Sequence, residues 1–215
     1  MVEFIKWLAY TLALVGVILV LWNRARLSRT FLLVGIYLAF ACVTWIIGQL
    51  LIHLFSHNLL WYNAVIVMNL VITFLLLASM FKSVRNKRMV WIVFGITTIP
   101  VIYFLFQAGL NSFASRALTV KNLSVSLVVL LYFYEMLKYP EKRSIFSQGN
   151  FWVVSALMVY HVSTFTYWMI YELLETLAKP KAFFAMNVIS TFILYLLMLT
   201  AVFVETKQVK NAERN

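Results

Sequence analysis

The sequence predicts an all-α membrane protein, a single bundle of seven transmembrane helices spanning residues 1–215, and three observations carry that prediction. Of the 215 residues, 64% are hydrophobic and only 12% are charged, whereas soluble domains run at roughly half apolar and about a quarter charged. The mean hydropathy is +0.91. The apolar residues gather into seven long runs separated by short polar clusters, each run near the roughly 20 residues a helix needs to cross hydrocarbon. No stretch alternates apolar and polar residues in the manner of a membrane barrel.

The first run, 4–22, ends at NRARLSR. Its positive charges follow the apolar stretch and no small-residue cleavage site is present, so it reads as a retained anchor rather than a signal peptide. The second run, 31–51, ends near SHN, and the third, 60–81, at KSVRNKR. The fourth, 89–106, contains Pro100, and the fifth, 118–137, precedes KYPEKR. The sixth and seventh occupy 151–173 and 182–204, with ETLAKPK between them. Trp7, Trp22, Trp61, Trp91 and Trp152 fall near span ends, where amphipathic rings settle at the headgroups, and Trp45 and Trp168 lie deeper.

The net charge of +11 reads as a topology signal, not as a nucleic-acid footprint. Thirteen of the 18 Lys and Arg residues follow the odd-numbered spans or lie in the C-terminal tail. Basic residues concentrate on the cytoplasmic side, so the N-terminus is expected outside and the C-terminus inside. The expected location is a bacterial cytoplasmic (inner) membrane, with the lipid bilayer as the first partner.

Two segments repeat. Residues 68–77 read MNLVITFLLL and residues 186–195 read MNVISTFILY, sharing Asn69/Asn187 and Thr73/Thr191. Phe31/Phe151, Val34/Val154 and Thr44/Thr164 pair at a shift of 120, and Lys6/Lys121 at a shift of 115. The reading is a 3+1+3 parallel repeat, spans 1–3 and 5–7 being copies joined by the fourth.

Polar residues inside spans are the candidate site. Asn69 and Asn187 occupy matching places and serve either as interhelical hydrogen-bond glue, worth roughly 1 kcal/mol, or as amides lining a ligand pocket. His161 falls near the middle of span six, where ionisable groups mark functional candidates, and Thr164 lies one turn on. Gln49, His53 and His57 share one face at the outer end of span two, and Glu172 and Glu175 sit at the outer end of span six. These form either a polar rim or, through two His and nearby carboxylates, a zinc site; with no HExxH and no Cys ligand the rim is preferred, and no metal is expected.

All seven acids are Glu, and only Glu135 falls within the hydrocarbon, toward the inner end, where Lys138 three residues on is its expected partner. A single cysteine, Cys42, precludes an internal disulfide. No GxSxG, phosphate-binding glycine loop or paired Asp is present. The seventh span lacks any Lys between Lys181 and Lys207, so it offers no central Schiff base for retinal. No catalytic residue, enzymatic activity or cofactor is expected.

Residues 57–81, HNLLWYNAVIVMNLVITFLLLASMF, and residues 131–175, opening LYFYEMLKYPEKR and continuing GNFWVVSALMVYHV, resemble small seven-helix membrane proteins of Bacteroidetes. Those proteins are often encoded beside, or fused to, sensor histidine kinases. The resemblance implies a sensory or signalling module that hands its signal to a partner such as a histidine kinase. Gly149-Asn150 stands where that pattern carries Pro before Phe-Trp, and His161 where it carries an apolar or aromatic residue. The repeat with its Asn pair is also similar to SWEET-type sugar transporters, whose third and seventh helices each supply an Asn. Those transporters carry proline hinges in helices 1, 2, 5 and 6, which are absent from this chain. A structural subunit of a membrane complex is the remaining alternative.

Overall fold

The computed structural model describes residues 2–55, 58–109, 112–141, 143–174 and 180–212, with side chains at 171–174, 180–184 and 210–212 left undescribed. Seven α-helices follow one another: α1 Val2–Trp22, α2 Arg29–Phe55, α3 Leu59–Met80, α4 Val84–Ala108, α5 Ser115–Lys138, α6 Gly149–Leu174 and α7 Pro180–Ala212. A single short 3-10 turn, Ile145–Ser147, precedes α6. All seven are long and apolar enough to cross a membrane. In hydrocarbon the helix satisfies its own backbone groups, so uninterrupted helical spans are the physical solution for runs of this composition.

Most expected span ends fall within a few residues of the helix ends. Two differ more: α4 begins at Val84 rather than 89, and α7 continues to Ala212 rather than 204. Hydropathy marks where a chain leaves hydrocarbon, not where it stops being helical. Arg85, Lys87 and Arg88, read as linker, are instead the first turns of α4.

Each helix packs on its sequence neighbour, and α7 returns to pack on α1. Because α3 also touches α5 directly, α4 lies outside the ring, against those two. Its burial agrees: 17% of the α4 span is buried, against 50% of α3. Outward-facing Ile99 and Phe106 of α4 are left for lipid.

Small residues bring α1 and α2 together. A Cβ at Gly35 would lie 2.6 Å from Val20 Cγ1, and one at Gly16 the same distance from Leu38 Cδ1. Without a hydrophobic force between helices in lipid, such close approach supplies the packing. Gly35→Val is therefore expected to lower stability by roughly 1–3 kcal/mol through overpacking; thermal unfolding in detergent checks it, and Gly95→Val, with nothing within 4 Å of its Cβ position, is the neutral comparison.

The half of the bundle holding the α1 C-terminus is tightly filled. Phe31, Val34 and Leu38 of α2, Phe74 and Leu77 of α3, Val153, Val154 and Leu157 of α6, and Met198 and Val202 of α7 are all essentially inaccessible. At the α4 C-terminus Gly109 adopts φ +67° and its N–H donates to Leu105 O at 3.2 Å, a left-handed cap suited to glycine.

Candidate functional site

The opposite half, toward the N-terminus of α1, is not filled. A cavity of about 530 Å³ opens there, within the range of about 300–1,000 Å³ typical of small-molecule sites. Six helices, all except α4, contribute to its wall, together with Phe113 from the α4–α5 connection. Asn69 and Asn187 both line it, so the two residues border a shared space.

The wall is mostly aromatic. Tyr10 stacks on Trp45 with centroids 4.7 Å apart and tilts against Tyr195 at 5.8 Å, joining α1, α2 and α7. Phe113 and Trp168 meet at 4.8 Å. Tyr37, Tyr62, Tyr160 and Tyr167 add further rings. Gly48 makes room for Tyr62, whose hydroxyl lies 2.9 Å from where a Cβ would stand. Asn58 Nδ2 donates to Gly48 O at 3.3 Å, tying the end of α2 to the start of α3 beside the opening.

The buried charged member of the wall is Lys121. It is only 3% exposed, and its Nζ donates to Asn69 Oδ1 at 2.9 Å. Thr73 Oγ1 also donates to that oxygen, at 3.4 Å. The Lys121–Asn69 contact joins α5 to α3. In the sequence Lys121 counts as one of the minority basic residues on the outer face; its position seven residues into an apolar helix was the signal that it faces inward. Lys6 lines the cavity too, and its Nζ lies 3.6 Å from Glu3.

The remaining expected residues divide. Gln49 lines the cavity but is exposed, and His53 is exposed and away from it. His57, Glu175 and the Glu172 side chain lie outside the described residues. Among the described residues no group of three His, Cys, Asp or Glu side chains gathers to hold a metal.

His161 and Thr164 are fully buried but stand off the cavity wall. His161 Nδ1 and Asn122 Oδ1 are 2.9 Å apart, a tie between α6 and α5. With Asn122 in that position the His is an interhelical link. Thr164 Oγ1 donates to Tyr160 O at 2.7 Å, within its own helix. Both enter the bundle one layer behind the wall, because the face of α6 turned to the cavity carries Tyr160, Tyr167 and Trp168 instead.

Asn63 escaped sequence reading. Asn63, buried, donates from Nδ2 to Ser112 O at 3.0 Å and accepts from Ala114 N–H at 3.1 Å, holding the α4–α5 connection. Thr44 Oγ1 and Trp45 Nε1 are buried on the cavity wall without hydrogen-bond partners.

Glu135 lies at the far end of the bundle and is 4% exposed. Lys138 is not its partner: that ammonium lies over the rings of Tyr134 and Tyr139, at 5.9 and 5.6 Å. Glu135 Oε1 accepts from Lys82 N–H at 2.7 Å and Ser83 N–H at 3.2 Å, while Oε2 accepts from Asn86 Nδ2. The carboxylate thus receives the unpaired N–H groups at the start of α4, where a negative charge is favoured. A contact 52 or 53 residues away outcompetes the local one because it satisfies buried backbone donors.

Compared with known proteins, no family model, no curated protein and no solved structure matches the chain.

Proposed function

We propose that the protein is a membrane-embedded, non-catalytic sensory module that receives a small solute in the cavity between α1, α2, α3, α5, α6 and α7 and passes the signal to a separate partner. One observation carries the reading: the 530 Å³ cavity opens at one end of the bundle, above a half whose side chains are packed shut. Binding without a path onward suits reception better than passage. The basic clusters favour an outward cavity end, with Arg85, Lys87, Arg88 and Arg143 on the cytoplasmic end, where an acidic partner surface or anionic lipid would dock. This accords with the resemblance of residues 57–81 and 131–175 to seven-helix proteins encoded beside histidine kinases.

A transporter of 3+1+3 architecture is the second reading, favoured by one feature. Lys6 and Lys121, Phe40 and Tyr160, and Asn69 and Asn187 line the cavity as repeat-related pairs, and the α1–α7 and α3–α5 contacts exchange under the same pairing. Against it, Pro100 of the peripheral α4 is the proline inside a helix among the described residues, and α1, α2, α5 and α6 contain none. Rocking two rigid halves through a closed apolar layer lacks its hinges.

Counterflow in proteoliposomes separates the two. Purified protein is reconstituted and screened with radiolabelled sugars, amino acids and small aromatic acids, while Trp45 and Trp168 on the cavity wall report binding by fluorescence. Saturable quenching without solute accumulation above protein-free vesicles is the expected result. Accumulation of the bound solute would replace the sensory reading with transport.

A further inference from the structure

The cavity wall holds a buried lysine amine, Lys121, beside which no described side chain supplies a counter-charge. Lys121 is nearly inaccessible, and its one hydrogen-bond partner is a neutral amide oxygen, Asn69 Oδ1 at 2.9 Å. An ammonium has three protons to donate, so two remain. Among the described residues the only carboxylate at this end of the bundle is Glu3, and Glu3 stands beside Lys6 at 3.6 Å. Glu135 and Glu205 belong to the opposite end, near Lys82 and Arg143. A charge removed from water is costly unless a counter-charge meets it, and the open space beside Lys121 is where that counter-charge would enter.

A second observation points to the same space. Thr44 is 92% buried, its exposure being 8%, and its hydroxyl has no partner; the indole N–H of Trp45, next in the chain, is equally unsatisfied. Both belong to the cavity wall, on α2. Buried polar atoms in native folds are ordinarily paired; these two are closed to a molecule the size of water, so a ligand's oxygen atoms would meet them only where the neighbouring wall side chains turn aside. The rest of the wall is chiefly aromatic ring.

We propose, resting on the ligand-binding reading above, that the cavity accepts a small organic carboxylate with an aromatic or otherwise apolar body, its carboxylate meeting the Lys121 ammonium beside Asn69. Lys121, with no counter-charge among the described side chains, selects the class. A phosphate ester brings up to two negative charges and is ordinarily met by several cations or by Arg forks; the described wall carries no Arg, and its second cation, Lys6, already stands beside Glu3 at 3.6 Å. A sugar satisfies hydroxyl and amide groups but leaves the Lys121 charge uncompensated. The aromatic faces contribute area and exclude water, which strengthens the charge pair.

The test uses the full-length protein in lipid nanodiscs and matched probes: benzoate, 4-hydroxyphenylacetate and indole-3-acetate against benzamide, 4-hydroxyphenylacetamide and indole-3-acetamide. Each acid and its amide share shape and differ in charge. Calorimetry and tryptophan fluorescence read the affinities for the wild type and Lys121→Met, and thermal unfolding verifies that the variant is folded. Wild type is expected to bind at least one acid about tenfold or more tighter than its amide, a charge-assisted hydrogen bond being about that strong. Lys121→Met is expected to lose the preference while still binding the amide.

Equal affinity for acid and amide in the wild type would overturn the carboxylate proposal and leave the cavity as a binding site for neutral solutes. A preference that survives Lys121→Met would also overturn it. Failure of every acid and every amide to bind would sink the ligand-binding reading with it.

Discussion

Glu135→Ala is expected to destabilise the folded protein by roughly 2–4 kcal/mol, the largest loss of any single polar side chain. The substitution removes an acceptor shared by Lys82 N–H, Ser83 N–H and the Asn86 amide, all gathered where α4 begins. Glu135 itself is 4% exposed, while Ser83 and Asn86 are half-buried, so water replaces the lost acceptor only in part. Glu135→Gln keeps an oxygen for the two backbone donors but gives up the negative charge at the helix N-terminus, worth about 1 kcal/mol. The series wild type, Gln, Ala should therefore fall in that order in thermal unfolding of the purified protein. Because α4 lies outside the ring and is little buried, its detachment should leave the cavity's six helices together. Trp91, on α4 and stacked edge-on with Phe94 at 5.7 Å, is the residue whose fluorescence should change first. Equal stability of all three proteins would mean that α4 is held by lipid-facing packing instead.

That contact also shows where sequence reading runs out. The seven spans were legible because hydrocarbon imposes a length and a composition on each of them independently. Helix ends were less so, since charged residues such as Arg85 and Lys87 leave the bilayer while remaining helical. The Asn69 and Asn187 pairing was legible from the repeated MN…TF pattern, and the cavity they line is a space that no residue string encodes directly. Its size depends on which rings turn aside, as Tyr62 does over Gly48. Lys121 was counted as flanking charge because its burial depends on α3 standing close enough to present Asn69. His161 was legible as buried and polar, but its partner, Asn122, is 39 residues away on another helix. Local spacing favours near neighbours, and buried polar groups in a bundle find their partners across it.

The same reasoning separates the two ends of the molecule. A ring of six helices with α7 closing on α1 has room for side chains throughout its length, and which half is filled follows from residue size and shape. Leu, Val, Phe and Met interlock toward the cytoplasmic end proposed above, while large flat rings stand against the wall at the other and leave volume between them. A ligand there can act on a distant partner only by binding two arrangements of the helices unequally. The α5–α6 link through His161 and Asn122, one layer behind the wall, is the nearest polar contact such a rearrangement would strain.

One-sided access to the cavity is the central claim, and cysteine labelling measures it directly. Cys42, the single native thiol, is replaced by Ala, and Ala41→Cys places a thiol on the cavity wall. Ser144→Cys marks the exposed opposite end. Vesicles of known sidedness are treated with a small membrane-impermeant maleimide. Ala41→Cys should react in right-side-out vesicles and be protected in inverted ones, with Ser144→Cys showing the reverse. Reaction of Ala41→Cys from both faces, or from neither, would contradict an outward cavity sealed from the cytoplasm.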